Sequence, residues 1–473
     1  MDKLQKIKIL EEGIRKYAPV VAEFFDCEKT IIDYSKSLYD YPVNRIHQER
    51  QKDLCLVMEK YIERLFSVKI SIKPPLIINI VDHHSILNHP ILLATNIVAN
   101  AYRLINHQSG EKKPIVVLTS SIVPQNNFFN RKGFQFHGKK VPLFSNKKMH
   151  QAGCFISLHD FRFIDRLKEG DKWKEFDLKE QQFLLTIEKE ILNLDYSTAK
   201  NYNDQISLID KFLWKRLFSE DIREETPDLY YLAQEDVIWE LLPSILGEEN
   251  IINKAIFDDN FREAILDNFR GLTGCWDEEK NKGTHFFWYK DENYEAKRLF
   301  LENGFLISED KSKKIRLDKG EILSLIQNRE IVPNLFVIFG YMTFWCGLRP
   351  LVGHGSCNYL TQMKEAWLRI LKNYDESEYN RLLSVDTKGL IGGSIVTFGR
   401  NERDEIVDLY AFDVMEKGGL TEKYLKNFFS MKYKDLLKPA LLEIYESYVP
   451  VEERIDLDLK PIDMMGEEFN WIK

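Results

Sequence analysis

Two short β-branched runs constrain this chain more than anything else in it. LIINIV (residues 76–81) and IVVLT (residues 115–119) are apolar along nearly their whole length, broken only by Asn79. A strand with one wet face alternates, whereas unbroken apolar runs this short belong to strands covered on both faces, as in a parallel sheet. Between the two runs, Ile91, Leu92, Thr95, Val98, Ala99 and Tyr102 fall at helical spacing, with Asn88 as the cap and Pro90 in the first turn. The helix is expected to start near residue 89 and to end by a turn at residues 106–110, after which Pro114 introduces the second strand. Strand, helix and strand in this order form a βαβ unit with a right-handed crossover.

At 473 residues the chain is too long for a single hydrophobic core. Residues 1–72 read as a helical N-terminal layer, with Leu4, Ile7, Leu10 and Ile14 on one face. Residues 73–170 carry the first half of a Rossmann-like core, and residues 171–300 read as a mostly helical insertion in which Asp177 and Glu180 form a capping box. The second half of the core follows at residues 301–370: a hairpin over 304–316, a helix over 319–328, a buried run over 331–348, and a Gly-rich turn opening another helix. Residues 371–473 form a C-terminal α+β region, with a hairpin around the polar turn GRNERDE and a strand-entry turn at 392–394. The fold class is therefore α/β: a Rossmann-like parallel-sheet core with a helical N-terminal layer and a helical insertion.

Several classes of function are disfavoured. Lys and Arg number 66 against 74 Asp and Glu, a net charge of −8, which opposes nonspecific attraction to nucleic acid or anionic lipid. The longest charge-free apolar run, 331–348, contains Pro333, Asn334 and Gly340 and reads as core, not as a membrane span. The charged first residues carry no secretory signal, and six cysteines without a CxxC fit a reduced compartment. A cytoplasmic protein with a small-molecule substrate is expected, with no nucleic acid or membrane partner; an oligomer is left open.

Seven of the ten histidines lie within residues 83–159, and that concentration points to a site. Asp82, His83 and His84 end the first strand; Ser120 and Ser121 end the second. In a βαβ unit ligands bind outside the carboxyl ends of the strands, so these side chains are expected to share one cleft with Asn88 and the helix N-terminus. His84 or His89 is the candidate acid/base, Asp82 orients an imidazole, and His83 is the fourth catalytic candidate. Asn126, Asn127, Arg131 and His137 follow in a loop that can close over the cleft, with Arg131 and Lys147 binding an anionic group. The opposite wall is expected from GHGSCNY: Gly353, His354, Gly355, Ser356, Asn358 and Tyr359, with Gln362 one turn on. Cys357 is the one thiol kept in view there. His107, His150 and His159 read as surface or satisfied positions, and no metal ligand set is assigned. On this reading His84→Ala removes turnover and leaves the melting temperature within a few degrees.

Two blocks carry a resemblance. IINIVDHHSILNHPILLATNIVANAYRLI with PIVVLTSS, and IRLDKGEILSLIQNREIVPNLFVIFGYMTFWCGLRPLVGHGSCNYLTQMKEAW, resemble the bacillithiol biosynthesis cysteine-adding enzyme family. The matching residues are Pro333, Asn334, Pro350, Gly353, Gly355, Tyr359 and Gln362, and the blocks cover about a quarter of the chain. In place of that family's Gln-rich turn and Gly-Pro pair stand Asp82-His83-His84 and His89-Pro90, and its long C-terminal coiled coil is not evident. The resemblance implies a core related to nucleotidylyltransferases and a ligase-like condensation of an amino acid or related acyl group with a small amine-bearing or anionic substrate; whether a nucleotide binds is open. The Asp-His-His triplet after a buried strand also resembles the manganese-dependent DHH phosphoesterases, in which those residues help to bind the metal. A third alternative is a non-catalytic protein on a degenerate enzyme fold, which a pocket blocked by side chains would mark.

Overall fold

The computed structural model describes residues 2–42, 44–105, 113–392, 395, 397–401 and 403–472. At its centre are five parallel strands: β1 (Ile77–Asn79), β2 (Ile115–Thr119), β3 (Leu229–Ala233), β4 (Arg349–Val352) and β5 (Gly389–Leu390). They lie side by side in the order β3-β2-β1-β4-β5. Asn79 of β1 stands opposite both Val117 of β2 and Leu351 of β4. Having laid β2 and β3 on one side of β1, the chain returns to the other side for β4 and β5, so the order reverses between β1 and β4. The chain is a mixed α/β fold built on this sheet.

Helices cover the sheet. The N-terminal layer is helical, and its longest member, α1 (Arg45–Phe66), packs on β3. Helix α2 (Pro90–Ala99) joins β1 to β2, with Pro90 at its first position, where a missing N–H costs nothing. Helix α3 (Leu178–Leu192) has the expected capping box of Asp177 and Glu180. Helix α4 (Tyr202–Arg216) packs along β3, and α5 (Gln234–Gly247) follows β3 without a loop. Helix α6 (His354–Tyr374) follows β4 and packs on β4 and β5, and α7 (Leu441–Tyr448) comes near the end of the chain.

The hairpin of Phe305–Ser308 with Lys314–Arg316, the helix Lys319–Gln327 and the hairpin of Phe398–Arg400 with Ile406–Asp408 stand where their turn residues place them. The run 331–348 is a short strand (Ile331–Pro333), a helix (Leu335–Phe339) and a π-helical turn (Gly340–Trp345), almost all buried. Among the described residues no helix is long and apolar enough to cross a membrane. Strand β3 departs from expectation, lying inside the stretch that reads as helical, and β4 and β5 stand where no strand is expected. LYYLA is five buried residues between helices, and periodicity cannot tell a strand that short from a turn of buried helix. Pro227, two residues earlier, is the signal that separates the two.

Candidate active site

A ligand crevice opens outside the carboxyl ends of parallel strands where the strand order reverses, here between β1 and β4. A cavity of about 550 Å³ lies there. Ile80 and Val81 at the end of β1 and Ile91, Leu92 and Thr95 of α2 line it, and Tyr359 of α6 and Tyr448 of α7 face them. Of the residues selected from sequence, the cavity gathers His83, Ser120, Gly353, His354, Gly355, Ser356, Asn358 and Tyr359.

His83 is half-buried, edge-on to Phe129 with ring centroids 4.9 Å apart. Its Nδ1 lies 3.3 Å from Oδ1 of Asn127. That oxygen already accepts from the backbone amides of Phe129 (2.9 Å) and Asn130 (3.1 Å), while Asn127 Nδ2 donates to the Pro124 carbonyl at 2.6 Å. The amide is fixed by these bonds, so His83 Nδ1 carries the proton and donates it to Asn127. Burial lowers the pKa of the ring to about 4, against the pull of Asn127. The imidazole is neutral at pH 7, and its Nε2 lone pair has no protein partner among the described residues. Asn127 thus sets the tautomer of His83 and does not line the cavity.

Ser120 and Ser121 are held by a residue that sequence reading missed. Glu235, in the first turn of α5, is fully buried. Its carboxylate accepts from Ser120 Oγ (3.0 Å), Ser121 Oγ (2.8 Å), and the amides of Ser121 (2.8 Å) and Ile122 (3.2 Å). Burial raises its pKa, and the Ser121 and Ile122 donors oppose that rise. Ser121 is buried with it, and Ser120 alone of the two lines the cavity. The preceding residue, Gln234, also lines the cavity. Recognising β3 as a strand would have placed both at a carboxyl end.

On the far wall Gly353 caps α6 without a side-chain bond. The first-turn amides of His354, Gly355 and Ser356 have no intrahelical acceptor, and they head a helix of 21 residues whose dipole favours an anion at this end. A Cβ on Gly353 would stand 3.1 Å from Val81 Cγ2, so the close approach of the β1 and β4 ends favours glycine. Burial brings the His354 pKa down to about 4, and its Nδ1 is buried without a partner. Burial also pushes the Cys357 thiol up to about 12, so it is no thiolate nucleophile.

No protein-family model matches the chain, and no curated protein matches it.

The remaining candidates need correction. Asp82 is fully buried and accepts from Tyr231 OH (2.5 Å), Thr95 Oγ1 (2.8 Å), Asn96 Nδ2 (2.9 Å) and Asn79 Nδ2 (3.3 Å). Burial raises its pKa to about 6, and these four donors pull the other way. His84 is 2% exposed; its Nε2 donates to the Asn203 carbonyl (2.8 Å), which leaves Nδ1 to accept from Thr119 Oγ1 (2.6 Å). Neither lines the cavity. His84→Ala is therefore expected to lower stability by about 2–4 kcal/mol, measured as a lower urea midpoint, and not to leave the melting temperature nearly unchanged.

His89, not Asn88, caps α2: its Nδ1 accepts from the Ile91 amide at 3.3 Å, and its ring packs on Phe128, Phe129 and Tyr410. Burial, with Arg131 nearby, lowers its pKa to about 4. The amide of Asn88 pairs with the backbone of Gln135, donating to its carbonyl (3.2 Å) and accepting from its amide (3.0 Å). Asn126 meets His150 on the surface. The Arg131 guanidinium lies 4.7 Å from the Phe128 ring centroid and donates to the Phe128 carbonyl, so it clamps no anion in the cavity. His137 sits at the turn between the strands Gly133–Phe136 and Lys139–Pro142, where its amide donates to Asp413. Lys147 and Gln362 are exposed away from the lining. His159 bonds the Leu143 carbonyl; His107, Gly393 and Ser394 lie outside the described residues.

The Asp-His-His side chains thus turn to separate partners, and among the described residues no three His, Cys, Asp or Glu side chains form a shared ligand set. A larger cavity, about 660 Å³, opens at the amino ends of β1 and β2 beside Lys69, Lys73 and Arg103 and contains none of the candidate catalytic groups.

Proposed function

We propose that the sheet is a Rossmann-like core and that the cavity between the β1 and β4 ends is the active site of an enzyme condensing an amino acid or related acyl group with a small amine-bearing or anionic substrate. His83 carries this reading: a residue lining the cavity with a neutral imidazole, its proton locked on Nδ1 and its Nε2 lone pair unpartnered among the described residues. A base that deprotonates a nucleophile at pH 7 must be unprotonated there and within reach of the ligand. The nucleophile gives its proton to Nε2, the new bond forms at the acyl carbon, and the leaving group departs with the proton that His83 returns. A substrate carboxylate fits the first-turn amides of α6, and Ser120, fixed by Glu235 beside His83 at the end of β2, offers a hydroxyl oxygen on the same cavity wall.

The blocks that resemble the bacillithiol family, around β1 and around the turn after β4, are those that flank the cavity. The cavity is open, which supports an enzyme over a degenerate relative with a blocked pocket. Its glycines stand after β4 and not after β1, so a nucleotide would place its phosphates on the first turn of α6. The test is to incubate the protein with mixed amino acids and amino sugars, with and without ATP, and to search by mass spectrometry for a product equal to two substrates less water. Such a product is expected from the wild type and not from His83→Ala. Equal yield from the variant would refute the assignment.

A further inference from the structure

Gln234 carries an amide that no described residue answers. It is the first residue of α5, and its position is set by the neighbours that follow it: Glu235 on Ser120 and Ser121, and Asp236 on Asn203 Nδ2 (2.8 Å) and Arg329 (3.2 Å). Gln234 is 0% exposed, yet neither Oε1 nor Nε2 has a hydrogen-bond partner among the described residues. Buried polar groups are nearly always paired, so an amide unmet at both ends calls for a reason. The residue lies on the wall of the cavity, and so does His354, whose Nδ1 is a second buried, unpartnered polar atom at the end of β4. The rings of Phe339 and Tyr359, stacked at 27° with centroids 6.2 Å apart, give the same cavity a flat aromatic surface.

We propose that Gln234 is a specificity residue that reads a planar group presenting a hydrogen-bond donor and an acceptor side by side, as a primary carboxamide or a nucleobase edge does. The proposal rests on the cavity being the substrate site. A glutamine amide accepts through Oε1 and donates through Nε2 in one plane, so a single planar ligand edge satisfies both when it presents a coplanar donor–acceptor pair. A carboxylate leaves Oε1 unmet, and an ammonium leaves Nε2 unmet. A site built to pair with such an edge rejects analogues that lack it, because its own buried groups then stay unpaired.

The experiment is calorimetric binding to the full chain of two matched pairs: nicotinamide against nicotinate, and adenine against purine. At least one amide-edged member is expected to bind about tenfold or more tightly than its partner, and Gln234→Leu and Gln234→Glu are each expected to abolish that preference. The preferred pair tells a carboxamide from a nucleobase ligand. The glutamate variant keeps the shape of the side chain and guards against misfolding of the leucine one. Equal binding within both pairs, or a preference that survives both variants, overturns the role of Gln234 and leaves the cavity as the substrate site. If none of the four binds the wild type while simple amino acids do, the donor–acceptor reading falls alone; if nothing binds, both readings fall.

Discussion

Replacing His83 with alanine is expected to lower turnover roughly 10²–10⁴-fold, the range for loss of a general base, with a change of only a few degrees in melting temperature. The ring is half-buried, and its one hydrogen bond among the described residues is the Nδ1 contact to Asn127, so little of the fold depends on it. The pH profile should carry the same signature. With the His83 pKa near 4, the base is protonated and inactive below that value, so activity climbs as pH rises through about 4 and is flat from there to neutrality. A profile whose acid limb lies near the ordinary histidine value would mean that another group is the base. Asn127→Ala releases the tautomer lock and should lower turnover less than loss of His83 does, with the Michaelis constant nearly unchanged. Steady-state kinetics of the three proteins against pH check all of this.

Asp82→Ala is expected to be the most destabilising single change in the site region, by about 3–5 kcal/mol, comparable with stripping one partner from a buried charge cluster. It leaves Tyr231, Thr95, Asn96 and Asn79 pointing donors at an empty space. Asp82→Asn should cost only about 1–2 kcal/mol, because its Nδ2 can donate to Thr95 Oγ1 while that hydroxyl donates to the Leu92 carbonyl, 2.7 Å away. The pH dependence has a definite sign. The folded-state pKa of Asp82, about 6, is above its ordinary value of 3.8, so the native state holds the proton more tightly than the unfolded chain. Its contribution is gained as pH falls from 6 toward 4 and lost as pH rises through 6. The margin of the wild type over Asp82→Asn should therefore be wider at pH 5 than at pH 7, as urea titrations at the two values will show.

Two of the five sheet strands are legible from pattern alone. β1 and β2 lie in short apolar runs broken only by Asn79, and the cap at Asp177, the helix at Lys319 and the start of α6 are each marked by local chemistry that the fold obeys. β3, β4 and the two-residue β5 are not legible, because strands so short carry no period of their own. The site failed in one instructive way. Asp82 and His84 are two residues apart and His83 lies between them, so along an extended chain end the outer pair turns one way and His83 the other. Composition points to a histidine there; the partners separate His83, which lines the cavity, from the buried His84. Thr119, Asn203 and Tyr231 come from distant segments and claim the outer pair. Glu235 and Gln234 were invisible for a related reason: their meaning depends on β3 being a strand.

The most direct test of the site itself needs no knowledge of the substrate. Crystals of the wild-type protein soaked with a set of small carboxylates and amines should show bound fragments in the cavity between the β1 and β4 ends, within hydrogen-bond reach of His83 Nε2 or of the first-turn amides of α6. Fragments that gather instead in the cavity at the amino ends of β1 and β2, leaving His83 and α6 untouched, would contradict the assignment of the active site.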